Sequence, residues 1–110
     1  MTVALQTMTK LQSYCNVLVA AAARRNILDE DHWETLAEVD TNLTLQCKEL
    51  EHEATEAGYR RALQLMAEVV TQTKYTLEQH EFYSDISYLC DELDVRLTAC
   101  EASVMVELYL

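Results

Sequence analysis

The chain has 110 residues, half of them apolar and a quarter charged, with no proline and a single glycine. That composition belongs to a globular chain rather than a disordered one, and it argues against a fold of short strands, whose turns draw on Gly, Pro, Asn and Asp. Acidic side chains outnumber basic ones 19 to 8, for a net charge of −11. Nucleic-acid phosphates and anionic membrane surfaces both call for Lys and Arg, so neither is expected as a direct ligand. A basic protein surface is the electrostatic complement.

The first helix is expected from Val3 to Arg25. Ala4, Met8, Leu11, Cys15, Leu18 and Ala22 recur at alternating spacings of four and three, which places them on one face. Arg24 and Arg25 suit the negative end of its dipole. The apolar run from Val17 to Ala23 is too short to span a bilayer and makes a poor secretory signal, so a cytoplasmic, reducing setting is expected, with free thiols.

Asp29 is the expected N-cap of the second helix, with Leu28 and Trp33 at hydrophobic-staple spacing. Its apolar seam reads Trp33, Leu36, Leu43, Cys47, Leu50, Ala54 and Ala57. Asp40 falls on that seam, where a charge needs a partner; antiparallel pairing with the third helix would bring it near Lys74 and Tyr75. The alternative is a seam shifted to Val39, with Asp40 reaching water.

Gly58 is the expected break between the second and third helices. If the helix ran through it, a rod about 75 Å long would result. The third helix carries Tyr59, Ala62, Met66, Val69, Val70, Thr73 and Leu77 on one face. Ser84 is the expected cap of the fourth, whose seam is Ile86, Cys90, Leu93, Leu97, Cys100, Val104 and Leu108. Residues 1–110 thus predict one all-α domain, a bundle of about four helices in up-down-up-down order.

Charge is divided among the helices. Residues 1–28 hold three bases and no acid, and residues 29–57 one base and ten acids. Residues 58–80 hold three bases and two acids, and residues 81–110 one base and seven acids. An up-down-up-down bundle would set the two acidic helices on a diagonal.

No arrangement of residues predicts catalysis. The four cysteines lie on apolar seams without a Cys-x-x-Cys pair, so buried thiols are expected and no metal. Glu49 and His52 form one Glu-x-x-His unit, but a di-iron site needs two facing inward, and this one flanks the seam. There is no glycine-rich phosphate loop. Neither an enzyme nor a cofactor is expected, with a metal- or cofactor-binding bundle as the alternative.

The fourth helix carries a second apolar row opposite its seam: Tyr88, Val95, Ala99, Ala102, Val106 and Tyr109. A surface helix needs only one apolar stripe, so this row points to contact with another chain, a partner or a second copy. The expected function is a non-enzymatic protein-binding module or inhibitor. It would engage a basic surface through Glu49, Glu53, Glu92 and Glu101 together with the apolar row. A sharper variant is an acidic mimic of nucleic acid, of phage or mobile-element type, that blocks a DNA- or RNA-binding protein.

Overall fold

The computed structural model describes residues 2–24, 30–78 and 84–109. They form four helices: α1 (Val3–Arg24), α2 (Glu30–His52), α3 (Glu56–Glu78) and α4 (Ser84–Tyr109). Side-chain pairs show each neighbour running antiparallel to the last. Gln12 of α1 donates to Thr44 of α2 at 3.2 Å, while Asn16, one turn further along α1, meets Asp40, one turn back on α2. His32 near the start of α2 stacks on Tyr75 near the end of α3, with centroids 6.1 Å apart. Between α3 and α4, Lys74 reaches Asp94 at 2.6 Å and Arg60 reaches Tyr109 at 2.9 Å.

The order is therefore up-down-up-down, in a body of 43 × 23 × 17 Å. The cross-section is a rhombus: α1 lies close to α2, α3 and α4, α3 likewise lies close to all the others, and the acidic pair α2 and α4 bring no Cα atoms within 8 Å of each other among the described residues. The expected diagonal placement of the acidic helices holds. No helix among the described residues is long and apolar enough to cross a membrane.

The core follows the seams closely. All six expected positions of α1 are buried, joined by Leu5 and Val19. In α3, Tyr59, Ala62, Met66, Val69, Val70 and Thr73 are buried, with Leu65 beside them. In α4 the seam from Ile86 to Val104 is buried and Leu108 packs on its edge. Thr73 satisfies its hydroxyl on the Val69 carbonyl at 2.8 Å, as a buried polar group must. The expectations for Arg25, Leu28 and Asp29 fall outside the described residues, and those for the Leu77 and Ser84 side chains outside the described side chains.

Four expectations are corrected. First, Gly58 does not break the helix. α2 ends at His52, three residues connect it to α3, and Thr55 caps α3 by accepting the Gly58 N–H at 3.0 Å. Thr55 also accepts the Tyr59 N–H on its carbonyl at 3.0 Å, so the chain enters α3 before Gly58. Gly58 serves packing instead: a Cβ there would stand 2.8 Å from Leu50 Cδ2, 3.0 Å from Thr55 Oγ1 and 3.2 Å from Gln46 Nε2. Its missing side chain lets α3 close on α2. The Glu56–Arg60 pair, at 2.8 Å, lies wholly within α3 and spans no junction.

Second, Ala54 and Ala57 lie in and just after the connection and are exposed, because the α2 seam ends with Leu50. Third, Trp33 is 38 % exposed: one turn before Leu36, it falls to the flank of the seam. Fourth, Asp40 does not meet Lys74, which pairs with Asp94, but lies against Asn16 of α1; the alternative seam through Val39 holds, since Val39 is buried and Asp40 only half-buried.

Gly58→Ala tests the packing role. Crowding the buried Leu50 should cost about 1–3 kcal/mol, against a gain of up to about 1 kcal/mol from better helix propensity. A net loss of about 1 kcal/mol in denaturant unfolding is expected. A variant more stable than wild type would mean that Gly58 has no packing role.

Candidate protein-binding surfaces

The second apolar row of α4 is on the surface along its length. Tyr88 is 69 % exposed, Val95 71 %, Val106 56 % and Tyr109 51 %, and Ala99 and Ala102 are exposed between them. One end of the row is tied down. The Tyr109 hydroxyl bonds the Glu56 carboxylate and accepts from Arg60, and beneath it the buried Tyr59 hydroxyl donates to Glu107 at 3.0 Å. The Tyr109 hydroxyl and then the Arg60 guanidinium hold Glu56 below the usual carboxylate range. The last turn of α4 is thereby fastened to the first turn of α3.

The four acids singled out from the sequence do not form one patch. Glu49 is exposed on α2, but Glu53 lies in the connection after it. Glu92 pairs with Arg96 one turn along α4 at 2.9 Å. Glu101 stands at a shallow groove between α3 and α4, about 670 Å³ in volume, with Arg60, Arg61, Leu63, Gln64 and Ala67.

A second groove, about 160 Å³, runs between α1 and α4 and has no counterpart in the sequence reading. Leu11 and Ala99 line it together with Thr7, Lys10, Tyr14 and Arg96. The Arg96 guanidinium lies over the Tyr14 ring, 4.4 Å from its centroid, a cation–π contact. The groove continues the α4 row onto α1, where Tyr14 and Val17 are exposed. The signal was present in Lys10, Tyr14 and Val17, which share one flank of the first helix, but only the partner helix gives that flank meaning.

The interior offers little chemistry. Cys15, Cys47, Cys90 and Cys100 are buried free thiols. Burial pushes Cys15 up to about 12, helped by the nearby Asp40 charge, and pushes the other three up to about 11. Such thiols stay protonated at neutral pH, and the thiolate is the nucleophile and the metal ligand. Among the described residues no three His, Cys, Asp or Glu side chains gather where they could hold a metal ion. Glu49 and His52 are both exposed.

Asp40 is half-buried at the α1–α2 contact. The Asn16 amide, oriented by its neighbours with its nitrogen toward α2, donates to the Asp40 oxygens at 2.7 and 3.3 Å. Next to it, Thr44 bonds the Asp40 carbonyl and accepts from Gln12. Burial raises the Asp40 carboxyl above its ordinary value, because Asn16 supplies a dipole but no opposing charge.

Comparison with protein families, with curated proteins and with solved structures finds no significant match to this chain.

Two outcomes follow from the interior. A thiol reagent should modify the native protein slowly near neutral pH and reach four equivalents once the chain is unfolded; rapid native modification of Cys15 would contradict its burial. For Asp40, the native state holds its proton more tightly than the unfolded state. Its charge therefore costs stability at neutral pH, and that cost vanishes as pH falls through the folded pKa toward the unfolded value of about 3.9. Asp40→Asn should be at least as stable as wild type at neutral pH, and the wild type should gain on it as pH is lowered. Chemical melts of both proteins across that range check the sign.

Proposed function

We propose that the chain is a non-enzymatic binding module that engages a basic macromolecular surface through its acidic helices, with the apolar row of α4 supplying contact area to another chain. The observation that carries this reading is the placement of the acid. α2 and α4 hold most of the negative charge and stand at opposite corners of the rhombus. Of Glu49, Glu53, Glu92 and Glu101, only Glu92 enters a described ion pair. Unpaired exposed carboxylates contribute little to folding, but their summed field steers a basic partner and raises its association rate. The protonated, buried thiols fit a module without chemistry of its own. The nucleic-acid-mimic variant uses the same field and differs in the partner, which would itself bind DNA or RNA.

The test is affinity capture from the native host lysate at low and high salt, with wild type and with a variant in which Glu49, Glu53, Glu92 and Glu101 are changed to Gln. Basic proteins should be retained at low salt and released by high salt. The variant should associate with them roughly tenfold more slowly while melting at nearly the wild-type temperature. Unchanged association rates across a low-salt titration would overturn the electrostatic reading.

A further inference from the structure

The groove between α1 and α4 is lined by Thr7, Lys10, Leu11 and Tyr14 from α1 and by Arg96 and Ala99 from α4, with no carboxylate among them. In a chain of net charge −11 that is an exception, and both helices contribute to it. Residues 1–28 contain no acid. The acids of α4 whose side chains are described are engaged elsewhere. Asp94 pairs with Lys74 of α3, and Asp91 lies near enough to the same Lys74 to act on it. Glu107 accepts from Tyr59 of α3, and Glu101 stands at the α3–α4 groove. Glu92 is neutralised by Arg96.

The groove holds donors without acceptors. Lys10 enters none of the described ion pairs. Arg96 gives Glu92 its Nε at 3.2 Å and one terminal nitrogen at 2.9 Å, and its other terminal nitrogen has no acceptor among the described residues. Glu92 on one edge and the Tyr14 ring, 4.4 Å away, hold the guanidinium in a single orientation. Its free N–H groups are thus presented in advance of any ligand, which lowers the entropy lost on binding. The Thr7 hydroxyl, by contrast, is already committed to the Val3 carbonyl at 2.9 Å. Leu11 and Ala99 supply the apolar floor.

We propose that this groove binds a small carboxylate carried on a compact apolar body, with the carboxylate on Lys10 and Arg96 and the body on Leu11 and Ala99. Charge selects the anion: two cations and no lining acid favour a negative group, and a charge-assisted hydrogen bond is stronger than a neutral one. Volume selects the size. The groove holds about 160 Å³, and a cavity of about 150 Å³ accepts a benzene ring. The acidity of the whole chain selects against higher charge, because a multiply charged phosphate is repelled more strongly and has no apolar body to place on the floor. Over a Debye length of about 8 Å at physiological salt the distant acids of α2 are largely screened, so the groove's own cations dominate.

Amide chemical shifts, followed as sodium benzoate is added at neutral pH and constant ionic strength, test this. Saturable shifts are expected at Thr7, Lys10, Tyr14, Arg96 and Ala99, with a Kd of about 1–10 mM. Benzyl alcohol has the ring without the charge, and inorganic phosphate has the charge without the ring. Each should bind roughly tenfold more weakly than benzoate. Lys10→Gln and Arg96→Gln, made separately, should each weaken benzoate roughly tenfold without changing the helical circular dichroism. Ala99→Leu, which fills the groove and keeps both cations, should abolish binding, and it serves as the reading if the Arg96 variant does not fold. The absence of saturable shifts at these residues up to about 50 mM benzoate overturns the proposal. So does phosphate binding as tightly as benzoate, or benzoate binding unchanged by Lys10→Gln or Ala99→Leu. None of these readouts involves a basic partner, so this proposal and the acidic-face reading can fail separately.

Discussion

The contact between α1 and α3 across the bundle is the constraint on which the rest of the structure depends. Four helices around a square would place all corners on equal terms, and the two acidic helices would press toward one interior. Closing the short diagonal with α1 and α3 moves α2 and α4 apart, so that no Cα atoms of the two come within 8 Å among the described residues. The chemistry of the two hub helices permits this closure. α1 contains no acid, and its inward face runs through Ala4, Met8, Leu11, Cys15, Leu18 and Ala22 without a polar interruption. α3 presents Ala62, Met66, Val69 and Val70, with Thr73 made harmless by its own backbone bond. Small residues at Ala4, Ala22 and Ala62 allow close approach of the helices.

The same separation governs the surface. A net charge of −11 in so short a chain destabilises a compact state through self-repulsion, and spacing the two acidic helices beyond direct contact limits that cost. It also presents acid on two opposite corners and leaves the α1–α4 side nearly free of unpaired carboxylates. The polar contacts that remain inside set alignment. Gln12–Thr44 and Asn16–Asp40 tie α1 to α2 at adjacent turns, while Tyr59–Glu107 and the Tyr109–Glu56–Arg60 cluster tie the end of α4 to the start of α3. A half-buried carboxylate held by an amide alone is a poor source of stability, so Asp40 is better understood as part of the register between α1 and α2.

Much of the architecture was legible in the chain because helical seams are periodic, and periodicity survives without knowledge of neighbours. The seams of α1, α3 and α4 and the diagonal charge pattern were read this way. What was misread depends on tertiary partners. Gly58 looks like punctuation because glycine lowers helix propensity; only the crowding a Cβ there would meet, 2.8 Å from Leu50 Cδ2, shows that close packing is its purpose. The true boundary was carried by Thr55, an ordinary N-cap residue that stood inside a run of helix formers. For Asp40 the seam through Val39 was legible, whereas its contact with Asn16 depends on where α1 lies and was not. For the surfaces, the α4 row was visible as a second stripe, whereas the Tyr14–Arg96 groove exists only once α1 and α4 are side by side.

Native-state hydrogen exchange tests the hub arrangement most directly. Helices that touch all others can open only when the whole bundle opens, whereas corner helices can detach from a surviving remainder. The amides of Leu11, Cys15 and Leu18 in α1 and of Met66, Val69 and Val70 in α3 should therefore exchange slowest, with opening free energies equal to global unfolding, and no amide of α2 or α4 should exceed them. If α1 or α3 exchanged through a partial opening that left α2 and α4 protected, the diagonal would not be what holds the bundle together.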